Sequence, residues 1–386
     1  YSVRDEAYFT DKELIDGRAP TGAEVEKISE ENYFFDLSKW QEKLLDLYEK
    51  NPDFVVPHWR LNEIKNIVES GLPDLSISRT ASKWGIPIPD DSDHVMYVWL
   101  DALTNYLSVI GYPDTDSKDF KTFWPADVHI MGKDITKFHA IYWPAILMAA
   151  GLPLPKKIVS HGWWVVKGEK MSKSLRNVID PIELIEEFGI DQVRYYMMRE
   201  ISFGEDGGFS KDTLISRANT ELSNKIGNLL QRSLSFVYKN FDKHIPNIEG
   251  AELKKLYDTI DVLQETGGLL ERVQKELDGF KFNQMLEILI QFADTLNVYI
   301  DQQAPWNLKH SDTKKTEEVL YSTLEAIRYL AILLIPFVPE SARKMLDQMN
   351  VPKNQRTFKN LNADFALKGS EISQPEVVFP KICKTL

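Results

Sequence analysis

The chain has 386 residues, with 46 Lys and Arg against 58 Asp and Glu for a formal net charge of −12; that length allows two or three domains, each able to bury its own core. A composition that is 43% hydrophobic and 27% charged excludes a disordered or fibrous chain, and the single cysteine, Cys383, excludes an internal disulfide and a cysteine-rich zinc site. The longest uncharged stretch, residues 140–155, is too short and too broken by proline to span a bilayer. The acidic balance is a weak argument against nucleic acid, because phosphate contacts need only local Lys and Arg. The opening Tyr-Ser-Val-Arg-Asp-Glu has no basic region followed by an apolar core, so no signal peptide is expected there and it reads as the middle of a fold.

Residues 1–93 are irregular, with two helices expected. One covers 37–50, where Leu37, Trp40, Leu44, Leu47 and Tyr48 hold helical spacing up to Asn51-Pro52; the other covers about 61–70 and closes at Gly71. From His94 an α/β pattern begins, with strands expected at 94–100, 127–131 and 157–161. Helices are expected at 101–110 and from Gly132 up to Ala150. Such alternation predicts a parallel sheet with crossovers, and ligands bind such sheets at the carboxyl ends of the strands. Segments 99–106, 132–139 and 161–164 would then share one site.

After Asp180 the pattern is almost all helix. Asp180-Pro-Ile-Glu183 supplies an N-cap, a proline at the first helical position and an acid at N3, and Ser210-Lys-Asp starts another helix. Helices at 251–278, 283–303 and 313–334, and a shorter one from Pro339, carry the apolar stripes of an antiparallel bundle. Residues 375–380 suggest an extended tail that docks.

The sharpest local signal is Lys170-Met-Ser-Lys-Ser174. Around it, Lys156, Lys157, Lys167, Lys170, Lys173 and Arg176 face only Glu169, a local charge of 6 − 1 = +5 inside an acidic chain. Two lysines three apart on a glycine-containing loop can offset charge that builds on a leaving polyphosphate; a generic basic loop would be only a solvated one. Gly132-Lys133 lacks the spacing of a Walker A loop, and no Gly-x-Gly-x-x-Gly occurs.

Lys170-Met-Ser-Lys-Ser174 resembles the second signature of class I aminoacyl-tRNA synthetases. With Val98-Trp-Leu-Asp-Ala102, Gly132-Lys-Asp-Ile135, Phe138-His139, Gly227-Asn-Leu229 and Gln303-Ala-Pro-Trp306, the chain resembles the methionyl-tRNA synthetase family over nearly its whole length. The resemblance implies an α/β parallel-sheet (partial Rossmann-like) catalytic domain followed by an all-α helical-bundle anticodon-binding domain. Its divisions would be 1–93 (remainder of the connective insertion), 94–169 (second half of the catalytic domain), 170–216 (lysine loop and stem-contact region), 217–365 (bundle) and 366–386 (a tail docking back on the body).

It also implies the partners: L-methionine, ATP with Mg2+ as substrate, and tRNA(Met). Trp99, Ala102, Leu103, Tyr106, Ile135 and His139 match positions lining the methionine side chain, which suits an unbranched, polarizable thioether held by aromatic and small apolar walls. Gly132, Asp134, His161, Trp164, Lys170 and Lys173 match the ATP site, with Lys170 and Lys173 as its catalytic cations. Arg79 matches an arginine at the active-site edge, and Asn228, Arg232 and Trp306 match the readers of the anticodon, where amide, guanidinium and aromatic groups suit single-stranded bases. Taken singly, Trp99, Ile135, Trp164 and Trp306 read equally as core, His139 as a satisfied core histidine, and Asp134 as an N-cap.

The chain departs from the family's pattern at several points: the family's first strand, part of the connective domain and the cysteines of its zinc knuckles are missing here. None of its histidines, His58, His94, His129, His139, His161, His244 and His310, forms the His-Ile-Gly-His motif that faces the lysine loop across the triphosphate. A segment upstream of Tyr1 is therefore expected to complete the ATP site, and the alternative is a tRNA-binding fragment without activity of its own. Leu103 stands where some relatives carry proline, and no metal site is expected in this segment. A cytoplasmic enzyme is expected, with an organelle left open, and a leucine, isoleucine or valine enzyme of the same class is the nearest competitor.

Overall fold

In the computed structural model the described residues are 1–4, 9, 13–27, 31–80, 84–171, 177–248, 268–361, 367 and 369–383. The chain forms two compact units, Tyr1–Ser160 and His161–Leu386.

In the first unit, a 3-10 turn at Leu37–Trp40 leads into the helix Gln41–Lys50, and a second helix spans His58–Glu69. Their buried faces, Leu44 and Tyr48 on one and Leu61, Ile64 and Val68 on the other, form one core with Val55, Met131, Ala140, Ile141 and Ile158. The second helix stops where the periodicity ends, with Gly71 at a φ of +97° that suits glycine. The strand Ile158–His161 runs parallel to Val55–Val56, with Val55 opposite Ile158, and His129–Gly132 flanks its other edge. Ile158, Val159 and Ser160 are all buried, as expected of a central parallel strand covered on both faces.

Two local details differ from the sequence expectation. The strand placed at 94–100 runs from Asp91 to Met96 and lies between Ser78–Arg79 and Pro87–Ile88 in a separate antiparallel sheet, so it does not join the parallel one. Val98, Trp99 and Leu100 already belong to the helix Val98–Ser108. A short apolar run has no period that separates strand from helix, and here the apolar positions 99, 103, 106 and 107 continue on one helical face. The run from Gly132 to Ala150 is not one α-helix either. It passes from 3-10 (Lys133–Ile135) through a π turn (Phe138–Tyr142) to α (Trp143–Ala149). Pro144 has no N–H to give the Ala140 carbonyl, and the buried Tyr48 hydroxyl donates to that oxygen instead at 2.6 Å.

The second unit opens with a hairpin, Trp164–Val166 against Glu169–Lys170, joined on its free side by Gly207–Gly208 in parallel. Asp180 caps Pro181–Phe188 by accepting from the Ile182 N–H, and Ser210 caps Lys211–Arg217 by accepting from the Thr213 N–H. That last helix continues without a break through a π segment, Ala218–Gly227, into Asn228–Asn240. The helices Leu269–Asp278, Phe282–Gln303, Thr313–Leu334 and Pro339–Gln348 pack with it around one large apolar core; residues 251–267 of the helix expected at 251–278 lie outside the described residues. Asp191, on the helix Ile190–Arg199, accepts from the Ser341 N–H and so caps Pro339–Gln348 from a distance. Near the C-terminus, Gln348 exchanges two hydrogen bonds with the backbone of Glu376, Asn219 does the same with Ile382, and Phe379 packs on Gly227. Among the described residues no helix is long and apolar enough to cross a membrane.

Candidate active site

In the first unit the residues matched to methionine gather around one aromatic cluster. Helix Val98–Ser108 presents Trp99 and Tyr106, and the run after Gly132 presents Phe138, His139 and Trp143. The Trp99 ring stacks on Phe138 with centroids 3.7 Å apart. The His139 Nδ1 lies 3.0 Å from the Ile135 carbonyl oxygen, which can only accept, so in the neutral ring Nδ1 carries the proton. Its Nε2 then accepts from the Tyr106 hydroxyl at 2.8 Å. This chain fixes the tautomer of His139 and the direction of Tyr106 together. Burial lowers the His139 pKa, with the Ile135 carbonyl pulling the other way, and burial raises that of Tyr106. The result is an uncharged, polarizable surface of the kind a thioether needs.

Not every matched residue sits alike. Ala102 is exposed beside this face, whereas Leu103 is 1% exposed and packs inward with Leu107, Phe120, Trp124 and Trp143, backing the cluster from the core side. Ile135 is half-buried against the neighbouring core. Arg79 is half-buried on the edge strand paired with Val95. Gly132 has φ −68°, which any residue adopts, so its backbone conformation does not by itself require glycine. Gly132 is itself the cap of the 3-10 turn; Asp134 stands inside it, exposed, and the N-cap reading of Asp134 falls away. Just beyond, Thr136 and the strand-end Ser160 share a buried hydrogen bond of 2.7 Å.

Sequence reasoning missed His129. It is buried, its ring centroid lies 4.2 Å from that of Tyr106 and 6.2 Å from that of His139, and its Nε2 has no hydrogen-bond partner. Burial, aided by His139, pushes its pKa down to about 4. Because an exposed histidine titrates near 6.5, the unfolded chain binds more protons than the folded one between those two values. Stability is therefore full above about pH 6.5 and is lost as pH falls toward 4, by an amount on the order of 3 kcal/mol. Thermal melts across that window should show this slope reduced in His129→Phe; an unchanged slope would assign it to other groups.

In the second unit, segment 161–170 leads up to the basic motif and contains its first lysine, Lys170. Gly162 is required by packing, since a Cβ there would lie 2.1 Å from the Glu205 carbonyl oxygen. His161 is exposed, with Nδ1 2.8 Å from the Gly162 carbonyl oxygen. Trp164 turns into the apolar cluster, 5.4 Å from Tyr196 and 6.3 Å from Phe209 between centroids. Its neighbour Trp163, which the sequence left open between core and the nucleotide-facing segment 161–164, carries the Lys170 ammonium 3.9 Å from its ring centroid. Lys173 lies outside the described residues. Lys156, counted in the basic cluster, pairs with Asp127.

In the bundle, Asn228 is exposed one helical turn before Arg232. Arg232 donates to Asp301 at 2.6 Å and to the Asn297 side chain at 3.1 Å, two partners that the sequence did not reveal. Ala304, at φ +43°, breaks the helix, Pro305 is buried, and Trp306 is 42% exposed, so its ring is no core plug. Among the described residues no group of three His, Cys, Asp or Glu side chains stands ready to hold a metal ion.

Comparison with known proteins agrees with this architecture. Residues 5–234 match the family described as "tRNA synthetases class I (M)", and residues 258–385 match "Anticodon binding domain of methionyl tRNA ligase". The catalytic part is thus that of a class I aminoacyl-tRNA synthetase. The methionine--tRNA ligase of Rickettsia conorii is 55% identical over 383 residues, covering 99% of this chain and 75% of the relative, and that of Brucella suis is 47% identical over 388 residues, covering 99% and 74%. The solved Mycobacterium tuberculosis methionyl-tRNA synthetase in complex with methionyl-adenylate superposes with a TM-score of 0.91 at 46% identity, over 98% of this chain and 75% of that one. The chain belongs to the methionyl-tRNA synthetase family.

Proposed function

We propose that the protein is a methionine--tRNA ligase that activates L-methionine with Mg-ATP and transfers it to the 3′ adenosine of tRNA(Met) for translation, in the cytoplasm or an organelle. The observation that carries this reading is the Ile135–His139–Tyr106 hydrogen-bond chain, set beside the stacked Trp99 and Phe138. It gives a neutral aromatic surface suited to a thioether and unsuited to a charged side chain.

In the first step a methionine carboxylate oxygen bonds to the α-phosphorus while the bond to the β-phosphate bridge breaks, releasing pyrophosphate. No covalent enzyme intermediate is needed, so the protein contributes positioning and electrostatics. Lys170 and Lys173 offset the charge of the departing pyrophosphate, Gly132, Asp134, His161 and Trp164 serve the nucleotide, and Arg79 lies at the edge. A ribose hydroxyl of the tRNA then attacks the activated carbonyl and AMP leaves. Asn228, Arg232 and Trp306 read the anticodon: the exposed Trp306 ring offers a stacking face, and Arg232 is held in direction by Asp301 and Asn297. The finer domain divisions at 93/94, 169/170, 216/217 and 365/366 belong to this reading.

A second reading, a tRNA-binding fragment inactive by itself, is favoured by one observation, that no histidine pair here forms the His-Ile-Gly-His motif. One experiment separates them: methionine-dependent ATP–pyrophosphate exchange and tRNA binding, measured on this chain alone and joined to the upstream segment of a relative. Exchange supported by methionine and not by leucine, isoleucine or valine is expected in the joined protein. No exchange in either form, with tRNA still bound, would replace the enzyme by the binding module.

A further inference from the structure

The lysine motif begins inside a hairpin whose geometry is set by two residues. Lys167 and Gly168 have φ of +52° and +81°, the paired left-handed conformation of a two-residue turn whose twist matches that of its strands. This turn puts Lys170 opposite Val165. Side chains alternate along a strand, so Trp163 shares a face with Val165, and Lys170 reaches it on the diagonal. The backbone of Trp163 is held independently. Its N–H donates to the Asp206 carboxylate at 2.8 Å, its carbonyl accepts from the Gly207 N–H at 2.9 Å, and Gly162 before it is pressed against the 205–206 backbone. A fixed aromatic face thus lies under the ammonium group.

We propose that Trp163 is a positioning residue for Lys170: its indole ring holds the ammonium at a resting place, from which the phosphate chain of ATP must draw it. The inference rests on the role given to Lys170 in the proposed reaction. A ring that stabilises the off-phosphate position lowers the fraction of protein with Lys170 ready for ATP, and apparent ATP affinity falls by that fraction. A partly exposed ammonium–indole contact corresponds to roughly a two- to five-fold effect.

The test is the exchange assay on the chain joined to the upstream segment of a relative, with Trp163→Leu and Trp163→Tyr. Removing the ring should lower the KM for ATP two- to five-fold, with the methionine KM as internal reference, and Trp163→Tyr, which restores an aromatic face, should recover most of the wild-type ATP KM. A merely structural Trp163 would move both KM values or neither. An ATP KM that is unchanged or raised in Trp163→Leu overturns the proposal. Tryptophan emission checks the contact without turnover: Lys170→Gln should change the spectrum of the wild-type protein and leave that of the Trp163→Leu protein unaltered, and identical changes in both would remove its basis. If the joined protein with wild-type Trp163 shows no exchange at all, the parent reading fails and this one with it; normal exchange with an unmoved ATP KM sinks the Trp163 role alone.

Discussion

Lys170→Ala is expected to slow methionine-dependent ATP–pyrophosphate exchange by about 10²- to 10³-fold, the range found when one preorganised electrostatic partner of a developing charge is removed. Negative charge grows on the bridging oxygen as the α–β phosphate bond breaks, so an ammonium that meets it there stabilises the transition state more than bound ATP. The loss should appear in kcat. The methionine KM should stay near the wild-type value, because the side chains proposed for methionine, Trp99, Tyr106 and His139, are held by contacts within the unit Tyr1–Ser160. Lys173→Ala should behave in the same way. A methionine KM that rises as kcat falls would make Lys170 a general support of the site, and an unaltered exchange rate would end its catalytic role. Lys170→Ala also vacates the Trp163 face, so the ring gives no compensation in this variant.

The parts of the fold that the sequence made legible are those where periodicity and capping act locally. The helices ending at Lys50 and before Gly71, the strand through Ile158 and Val159, and the caps Asp180 and Ser210 each depend on residues within one or two turns of the chain. Where the outcome depends on a distant partner, the sequence was silent. Val55–Val56 becomes a strand only because Ile158–His161 lies beside it, and two residues have no period to recognise. The π turn at Phe138–Tyr142 is tolerated because Tyr48, ninety-two positions away, supplies the Ala140 carbonyl with a donor. The candidate site divides in the same way. Motif resemblance named Trp99, Tyr106, His139 and Lys170 as candidates, but which of Trp163 and Trp164 faces the lysine depends on the turn at Lys167-Gly168. The Asp301 and Asn297 that orient Arg232 come from another helix. His129 carried one usable signal, inward alternation along His129-Ile-Met131, that a lone histidine on an apolar strand did not make specific.

Glu221→Ala is expected to destabilise the unit His161–Leu386 by about 3–5 kcal/mol, the cost of breaking a buried ion network by removing one member. Glu221 is 6% exposed and sits in the π segment that leads into Asn228. It accepts from the Tyr195 hydroxyl at 2.6 Å, from Arg199 at 3.2 Å and from Arg217 at 2.7 Å. Arg199 also pairs with Glu287 and Arg217 with Glu200, so one carboxylate joins the helix Ile190–Arg199, the π segment and, through Arg199, the helix Phe282–Gln303. Burial pushes the Glu221 carboxyl up, but the Tyr195 hydroxyl and the two guanidiniums outweigh it and hold its pKa below the ordinary value. A carboxylate lowered in this way contributes stability above its unfolded pKa near 4.5 and loses it as pH falls through the lower folded value. Replacement by alanine leaves the fully buried Tyr195 hydroxyl without its acceptor and two cations each short of a partner. Glu221→Gln keeps an acceptor for Tyr195 but not the charge, and should fall between wild type and alanine. Urea unfolding of Glu221→Ala, Tyr195→Phe and the double variant would measure the coupling directly, since residues in one network give non-additive losses. Additive losses, or a Glu221→Ala protein within about 1 kcal/mol of wild type, would show that the network is screened like a surface pair and does not join the three helices.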